Sequence, residues 1–451
     1  VTDLEPVAAA RQVAGRAEPG EQVEVYVVRS RETDVEVLRG DVESLTVAEQ
    51  AGLGVRVVRD GRLGYAWVGS LEPELIDAAL VEARDNARFA TPDEWQGLVR
   101  ATDLNGSEPV KLDLWRDELT HVDTAAKVEL ALQLEAATAA ADPLVRGVES
   151  ASYGDAAIDT ALVSSLGVEA TTRRTSCSCA SVALAGDGPE TRSAYGFSVG
   201  RAFDELDVDG AARDAASRAV RLLGARQTRS QRVPVVLDPL VTGSVLGLVG
   251  GALNGEAILK GRSMFVGRDG EAVAAPHVTL VDDPTDADAR GATSHDGEGV
   301  PTRRTTLIAD GILRGELHNV YTGRRSGRGT TGSAVRGIGG PPGVGARALT
   351  LTPGDRTADE IIGSLDEGLY VQSVSGLHSG TNPVSGDFSV GAVGLMIRAG
   401  TLAEPVREVT VASTLQRMLL DLVEVGADRR WLPGSSAGAT VLIGEMQVSG
   451  S

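Results

Sequence analysis

The sequence predicts an α+β protein in two parts: an N-terminal α/β domain with a largely antiparallel sheet and helices, then a C-terminal β-rich, barrel-like domain. Three observations carry this. At 451 residues the chain exceeds what a single hydrophobic core ordinarily organises. As far as residue 224, strand-like alternation is interleaved with helical periods in the order β-β-β-α-α-β-β-β-α, which sets helices on one face of a sheet. Beyond residue 232 the text turns to short apolar runs punctuated by glycine, as in closed β architectures. The polar, basic, aperiodic stretch 225–232 reads as a linker, giving domains 1–224 and 233–451.

The first element is a helix over residues 5–17. Residues 21–30 and 33–39 then alternate apolar and polar side chains, as two half-buried strands do. Residues 53–59 and 62–68 flank Asp60-Gly61, a two-residue hairpin turn whose central positions both need positive φ. A helix begins near Ser70 with Pro73 in its first turn, and Leu75, Ala79, Leu80 and Ala83 recur on one face. A second helix, 124–141, is capped by Asp123 or Thr124 and carries Val128, Leu130, Leu132 and Leu134. Strand-like text fills 144–200, and a helix over 209–223 closes the domain. The C-terminal half offers three helical segments, 243–257, 358–365 and 413–422, with hairpin turns at Asp310-Gly311 and Ala399-Gly400.

Apolar residues make up 42% of the chain but aromatics only 3%, with 55 glycines, so the cores must be built from Val, Leu and Ala. The formal charge of -20 repels a polyanion, which argues against nucleic acid as a partner. No run approaches the roughly 18 apolar residues that span a membrane. The first twenty residues carry Asp3, Glu5, Arg11 and Arg16 where a signal peptide needs an apolar core, so a cytoplasmic location is expected. Cys177 and Cys179 are too few to define a metal site, and read as two small side chains on one sheet face.

Several stretches carry more information. Gly243, Gly247, Gly251 and Gly255 recur every four residues and would form one bare ridge on a helix. Each costs about 1 kcal/mol of helix propensity against Ala. Close packing inside the domain, a subunit contact or a cleft wall would each repay such a cost. Asp282, Asp283, Asp286, Asp288, Asp296 and Glu298 do not follow calcium-loop spacing and read as solvated loop carboxylates. The run 323–329 lacks the ending of a phosphate loop and reads as a flexible basic loop. The run 376–391 packs polar groups between glycine turns ahead of a strand.

The runs Asp-Gly-Glu-Gly-Val-Pro-Thr-Arg-Arg at 296–304, Asn-Pro-Val-Ser-Gly-Asp-Phe-Ser-Val-Gly at 382–391, the block 400–411 and the closing 438–446 resemble the TldD/PmbA family, also described as modulators of DNA gyrase. Ser165-Leu-Gly167 resembles an N-terminal block of the same family. The resemblance implies an N-terminal α/β domain and a C-terminal β-rich domain, paired into a dimer that encloses a peptidase chamber. It further implies that TldD-type members carry His-Glu-x-x-x-His on the helix that is here the glycine ridge, two imidazoles binding zinc with a carboxylate beside the metal-bound water. Counting back from the family-like run 260–265 places those positions at Leu246, Gly247 and Gly251, none of which binds zinc or accepts a proton. His121, His277, His295, His318 and His378 contain no such pair, and the C-terminal half has no cysteine.

The resemblance therefore implies a TldE/PmbA-like subunit with no catalytic residue and no cofactor of its own. Zinc is expected in a TldD-type partner, and the substrates are small or unfolded peptides or modified peptide precursors. His378, Ser379, Asn382 and Asp387 are the candidates for lining the substrate cleft, since they share one turn-rich block of the family. The alternative is a homodimeric scaffold that binds a peptide or intermediate without cleaving it; a homodimer is possible when the chain is alone. A metal-independent hydrolase using Ser or Asp residues is disfavoured because no nucleophile elbow or Ser/His/Asp spacing is present.

Overall fold

A computed structural model describes residues 6–104 and 106–450. Six strands, β1 (Glu21–Leu38), β2 (Asp41–Arg59), β3 (Arg62–Val68), β4 (Val145–Ser164), β5 (Glu169–Ala185) and β6 (Arg192–Gly200), form an antiparallel sheet ordered β3-β2-β1-β4-β5-β6. The two strands expected at 21–30 and 33–39 are one. Arg31 pairs with Glu49 on one side and Ala157 on the other, so the ladder satisfies the backbone through the polar middle of the segment. The turn at Asp60-Gly61 has φ of 51° and 70°, as its hairpin requires.

One face of this sheet is covered by four helices: α1 (Pro6–Ala14), α2 (Pro73–Phe89), α3 (Thr124–Ala140) and α4 (Val208–Val220). The start expected for α1 at Glu5 lies outside the described residues. Along β1, the odd-numbered Val23 and Val25 pack with Val13, Ile76 and Leu80, while Val35 and Val37 pack with Leu130, Leu134 and Ala211. Each such fully buried aliphatic side chain is worth about 1.5–3 kcal/mol. Asp123 caps α3 by accepting the Ala126 N–H at 2.7 Å. Leu75 is exposed, in contrast to its expected place on the apolar face of α2; Ile76 takes that place one residue on. Cys177 and Cys179 are buried under α3 and α4, and burial pushes their thiols up to about 12 and about 11.

The C-terminal half is built on a closed five-stranded barrel of β7 (Gln231–Leu237), β8 (Glu367–Ser375), β9 (Asp387–Arg398), β10 (Thr401–Thr414) and β11 (Val441–Ser449). The order is β10-β9-β8-β7-β11, and β10 closes on β11 through Thr410 and Ser449. Only β7 and β8 run parallel. Alternate residues divide between two clusters. Val235, Leu237, Leu369 and Val371 pack with α5 (Pro239–Ala252), whereas Val236, Tyr370, Leu395 and Leu442 pack with Ile361, Ile362 and Leu222. Arg226, between the halves, donates its N–H to Pro405 O on β10 at 3.2 Å.

Three expectations are corrected here. The glycine helix does not run 243–257: α5 starts at Pro239 and ends at Ala252, and Asn254 caps a separate helix, Gly255–Leu259, by accepting the Glu256 N–H. The basic run 323–329 is not a flexible loop. Val320–Ser326 is a helix with an Asn319/Thr322 capping box, closed by Gly327 at φ 72°, and Arg324 bonds Asp103 at 2.6 Å. The acidic residues are not all solvated, since Asp282, Asp296 and Glu298 are buried. Asp282 accepts the N–H groups of Arg347 and Ala348, and Asp296 those of Glu298, Val300 and Ala334. Sequence spacing could not reveal those backbone partners.

Glu298 also joins the two halves. Arg56 of β2 bridges Glu24 of β1 at 2.7 Å and Glu298 at 2.9 Å, and Arg336 reaches Glu24 at 2.6 Å; all four side chains are buried. Burial opposes ionisation of Glu24, but the charges of Arg56 and Arg336 outweigh it and hold the carboxyl below its ordinary range.

Candidate functional site

Helix α5 is placed by its cap. Asp238 accepts the Leu240 N–H at 2.9 Å, receives Arg218 of α4 at 2.7 Å and accepts the Tyr370 hydroxyl of β8 at 2.6 Å. Arg218 also donates to Gln372 O at 3.0 Å, and the Gln372 amide returns a bond of 3.0 Å to Arg218 O. A single buried carboxylate thus ties the last N-terminal helix, the barrel and the start of the glycine helix. Asp-Pro at 238–239 is a legible cap signal. Its partner twenty residues upstream is not.

Around this joint lies a cavity of about 260 Å³ between the halves, lined among others by Tyr195, Arg218, Ser244, Gln372, Val374 and Leu377. Ser244 begins the exposed side of α5, which continues through Gly247 and Gly251. A Cβ added at either glycine would meet nothing within 4 Å. The glycine ridge is therefore divided. Gly243 lies under Leu432, and a Cβ at Gly255 would fall 2.7 Å from Leu317 O, whereas the two middle glycines present bare backbone outward. Leu246 points the other way, into the barrel-side core with Val245 and Val249.

His378, Ser379, Asn382 and Asp387 are brought together on one exposed loop that follows Leu377 at the cavity wall. His378 and Ser379 lie in the short helix Leu377–Gly380. Asn382 accepts the Val384 N–H at 2.9 Å, and Asp387 accepts the Ser385 hydroxyl at 2.6 Å, so these two hold the loop's own turn. His378 and Ser379 stand exposed next to Leu377, and Ser379 donates its hydroxyl to Gly376 O at 3.3 Å. Among the described residues, no three His, Cys, Asp or Glu side chains gather as a metal-binding group.

Sequence reading missed a second feature. Arg174, Arg201, Arg290 and Arg347 line one cavity of about 350 Å³ between β5 and the C-terminal half. The four are spread over more than 170 positions in four separate stretches, and no local pattern joins them.

Comparison with known proteins places the chain. Models of the PmbA/TldA metallopeptidase domains match in chain order: domain 1 at residues 23–87, the central domain at 117–223 and the C-terminal domain at 230–450. The chain belongs to the PmbA/TldD family. Among its relatives, the metalloprotease PmbA of Escherichia coli O157:H7 is 27% identical over 447 residues, covering 99% of this chain and 96% of that protein. A metalloprotease of Methanothermobacter thermautotrophicus is 28% identical over 434 residues, covering 94% and 92%. The crystal structure of TldE from Thermococcus kodakarensis superposes with a TM-score of 0.89 over 98% of this chain and 99% of that one. At 23% identity that likeness speaks to the fold. No helix among the described residues is long and apolar enough to cross a membrane.

Proposed function

We propose that the chain is the non-catalytic, TldE/PmbA-like subunit of a heterodimeric zinc metalloprotease, pairing in the cytoplasm with a TldD-type subunit that carries the metal. The pair would cleave small or unfolded peptides or trim modified peptide precursors. The observation that carries this reading is the chemistry of α5. At the positions that correspond to His-Glu-x-x-x-His, Leu246 is an apolar core residue, and Gly247 and Gly251 have no side chain. These residues do not fit a zinc ion, so no step of the reaction is routed through metal on this chain. What α5 offers instead is open backbone at Gly247 and Gly251, suited to close approach by another chain.

The chain's own part is then to bind and orient. Peptide would lie beside the cavity between the halves, with His378 and Ser379 at its edge and main-chain pairing supplying affinity with little sequence demand. The test is to purify the chain alone and together with a TldD-type subunit, measuring mass, zinc content and peptide hydrolysis. A zinc-containing mixed dimer that cleaves, beside a chain that does neither alone, is the expected result. Zinc-dependent cleavage by the chain alone would overturn the reading, and a stable homodimer that ignores the TldD-type subunit would favour the scaffold alternative.

A further inference from the structure

We infer that Arg174, Arg201, Arg290 and Arg347 form an anion receptor that takes a carboxylate of the bound peptide, either an acidic side chain or the free C-terminus. The chain has 63 acidic residues against 43 basic ones, so arginines without an acidic partner are not forced by composition. Yet none of these four forms an ion pair within the described residues. Arg201 spends its N–H groups on the carbonyl oxygens of Ala287 and Ala289, at 3.1 and 2.7 Å. Arg290 donates to Gly200 O and Arg347 to Ala334 O, while Arg347 Nε is buried with no hydrogen-bond partner. Among the described residues, Arg174 has no hydrogen-bond or ion-pair partner. Carbonyl dipoles orient the Arg201, Arg290 and Arg347 guanidinium groups, and Glu205 offsets part of the charge of Arg201 and Arg290, as Asp282 does for Arg347, without closing an ion pair on any of them.

The nearby carboxylates are held by other donors, Asp282 by the backbone N–H groups of Arg347 and Ala348. Glu205 accepts the backbone N–H of Arg201 at 2.7 Å and lies 3.9 Å from Arg116, and Asp155 pairs with Lys127 at 2.6 Å. Burial, together with repulsion from Arg290, Arg174 and Arg116, lowers the Arg201 guanidinium to about 10. Burial and the charge of Arg347 lower Arg174 in the same sense. Converging cations held against their mutual repulsion are what an oxyanion of matching size relieves, and the planar forks suit a carboxylate bidentately.

The position suits a peptide. Ala346, on the cavity wall, lies 3.7 Å from the Cβ position of Gly250, and Ser435, also on the wall, precedes Ser436, which bonds Gly243 O at 2.9 Å. Two segments of the cavity wall thus pack against α5. The receptor itself needs only these four residues, and assigning its ligand as peptide rests on the function proposed above.

The test is isothermal titration of the full chain, without a partner, with succinate, inorganic phosphate, a hexapeptide ending in two glutamates, its neutral twin (glutamine-substituted and C-terminally amidated), and the two singly changed peptides, which tell an acidic side chain from the free C-terminus. The acidic peptide should bind at least about tenfold more tightly than its neutral twin, and less tightly as salt is raised. Phosphate and succinate should compete. Arg174→Gln should abolish the preference while raising the midpoint of thermal unfolding, since it removes a repelled charge and no bond. Arg347→Gln serves as a second variant should the first fail to fold. Equal affinity for the acidic peptide and its neutral twin with no binding of the small anions, or a preference untouched by both variants, would overturn the receptor. Binding of the small anions without a preference for the acidic peptide would overturn the assignment to peptide. Neither result bears on whether the chain pairs with a TldD-type subunit, because no partner and no cleavage enters the measurement.

Discussion

At the scale of single residues, the glycines of the 243–255 run separate by what surrounds them. Gly247→Ala and Gly251→Ala place a methyl group in open space on a helix, so each should stabilise the isolated chain by up to about 1 kcal/mol, measured by urea unfolding. Gly255→Ala pushes a Cβ against His318 and the Leu317 carbonyl and should cost about 1–3 kcal/mol. Glu24 makes a prediction of the opposite kind, in pH. Its folded-state pKa lies below the unfolded value near 4.5, so its stabilising contribution is present above that value and is lost as pH falls through the folded pKa. Glu24→Gln should destabilise the chain at neutral pH and flatten its loss of stability in acid, read from unfolding midpoints between pH 3 and 7. Neither contrast was legible in the sequence. The four-residue spacing of the glycines was visible, but which of them would be covered depended on Leu432 and Leu317, distant in the chain.

At the scale of elements, the joint at the start of α5 is the critical piece. Asp238→Ala would remove the helix cap and leave Arg218 and the Tyr370 hydroxyl buried without their acceptor. Breaking a buried pair in this way costs about 3–5 kcal/mol, which equilibrium unfolding would detect. The β1–β2 hairpin makes a contrasting prediction. Residues 41–50 of β2 stand largely exposed, with Val42, Leu45 and Val47 each more than two-fifths accessible. Two charges there, Leu45→Glu with Val47→Glu, should change the stability of the lone chain by no more than about 0.5 kcal/mol. If Val42, Leu45 and Val47 contact a second subunit, the same pair should weaken association, measured by analytical ultracentrifugation. Helices α2, α3 and α4 were readable from periodicity and capping. The continuous β1 was not, because its polar centre mimics a break that only pairing on both sides fills.

At the scale of the whole molecule, a sheet covered by helices on one face turns its other face toward the 287–347 segment of the C-terminal half, and the halves are held by the buried Glu24–Arg56–Glu298–Arg336 group and the Arg218–Asp238 joint. Both proposed binding features, the cavity beside Leu377 and the arginine cavity, lie along this seam. His378→Ala and Ser379→Ala sit on its exposed rim. Each should lower peptide cleavage by the mixed complex severalfold while leaving the unfolding midpoint unchanged, and full activity in both would remove these residues from the cleft.

The sequence by itself determined the fold class, the hairpin turns, the presence of α2, α3 and α4 and the family blocks, because periodicity and turn chemistry act over a few residues. It also determined that Leu246, Gly247 and Gly251 offer no metal ligand, since side-chain chemistry needs no context. The tertiary structure alone decided which glycines are open, why Asp282, Asp296 and Glu298 are buried, and that four arginines from separate stretches share one cavity. Those facts arise from contacts between residues tens to hundreds of positions apart, brought together by strand pairing and by the packing of one half on the other, and no local pattern encodes them.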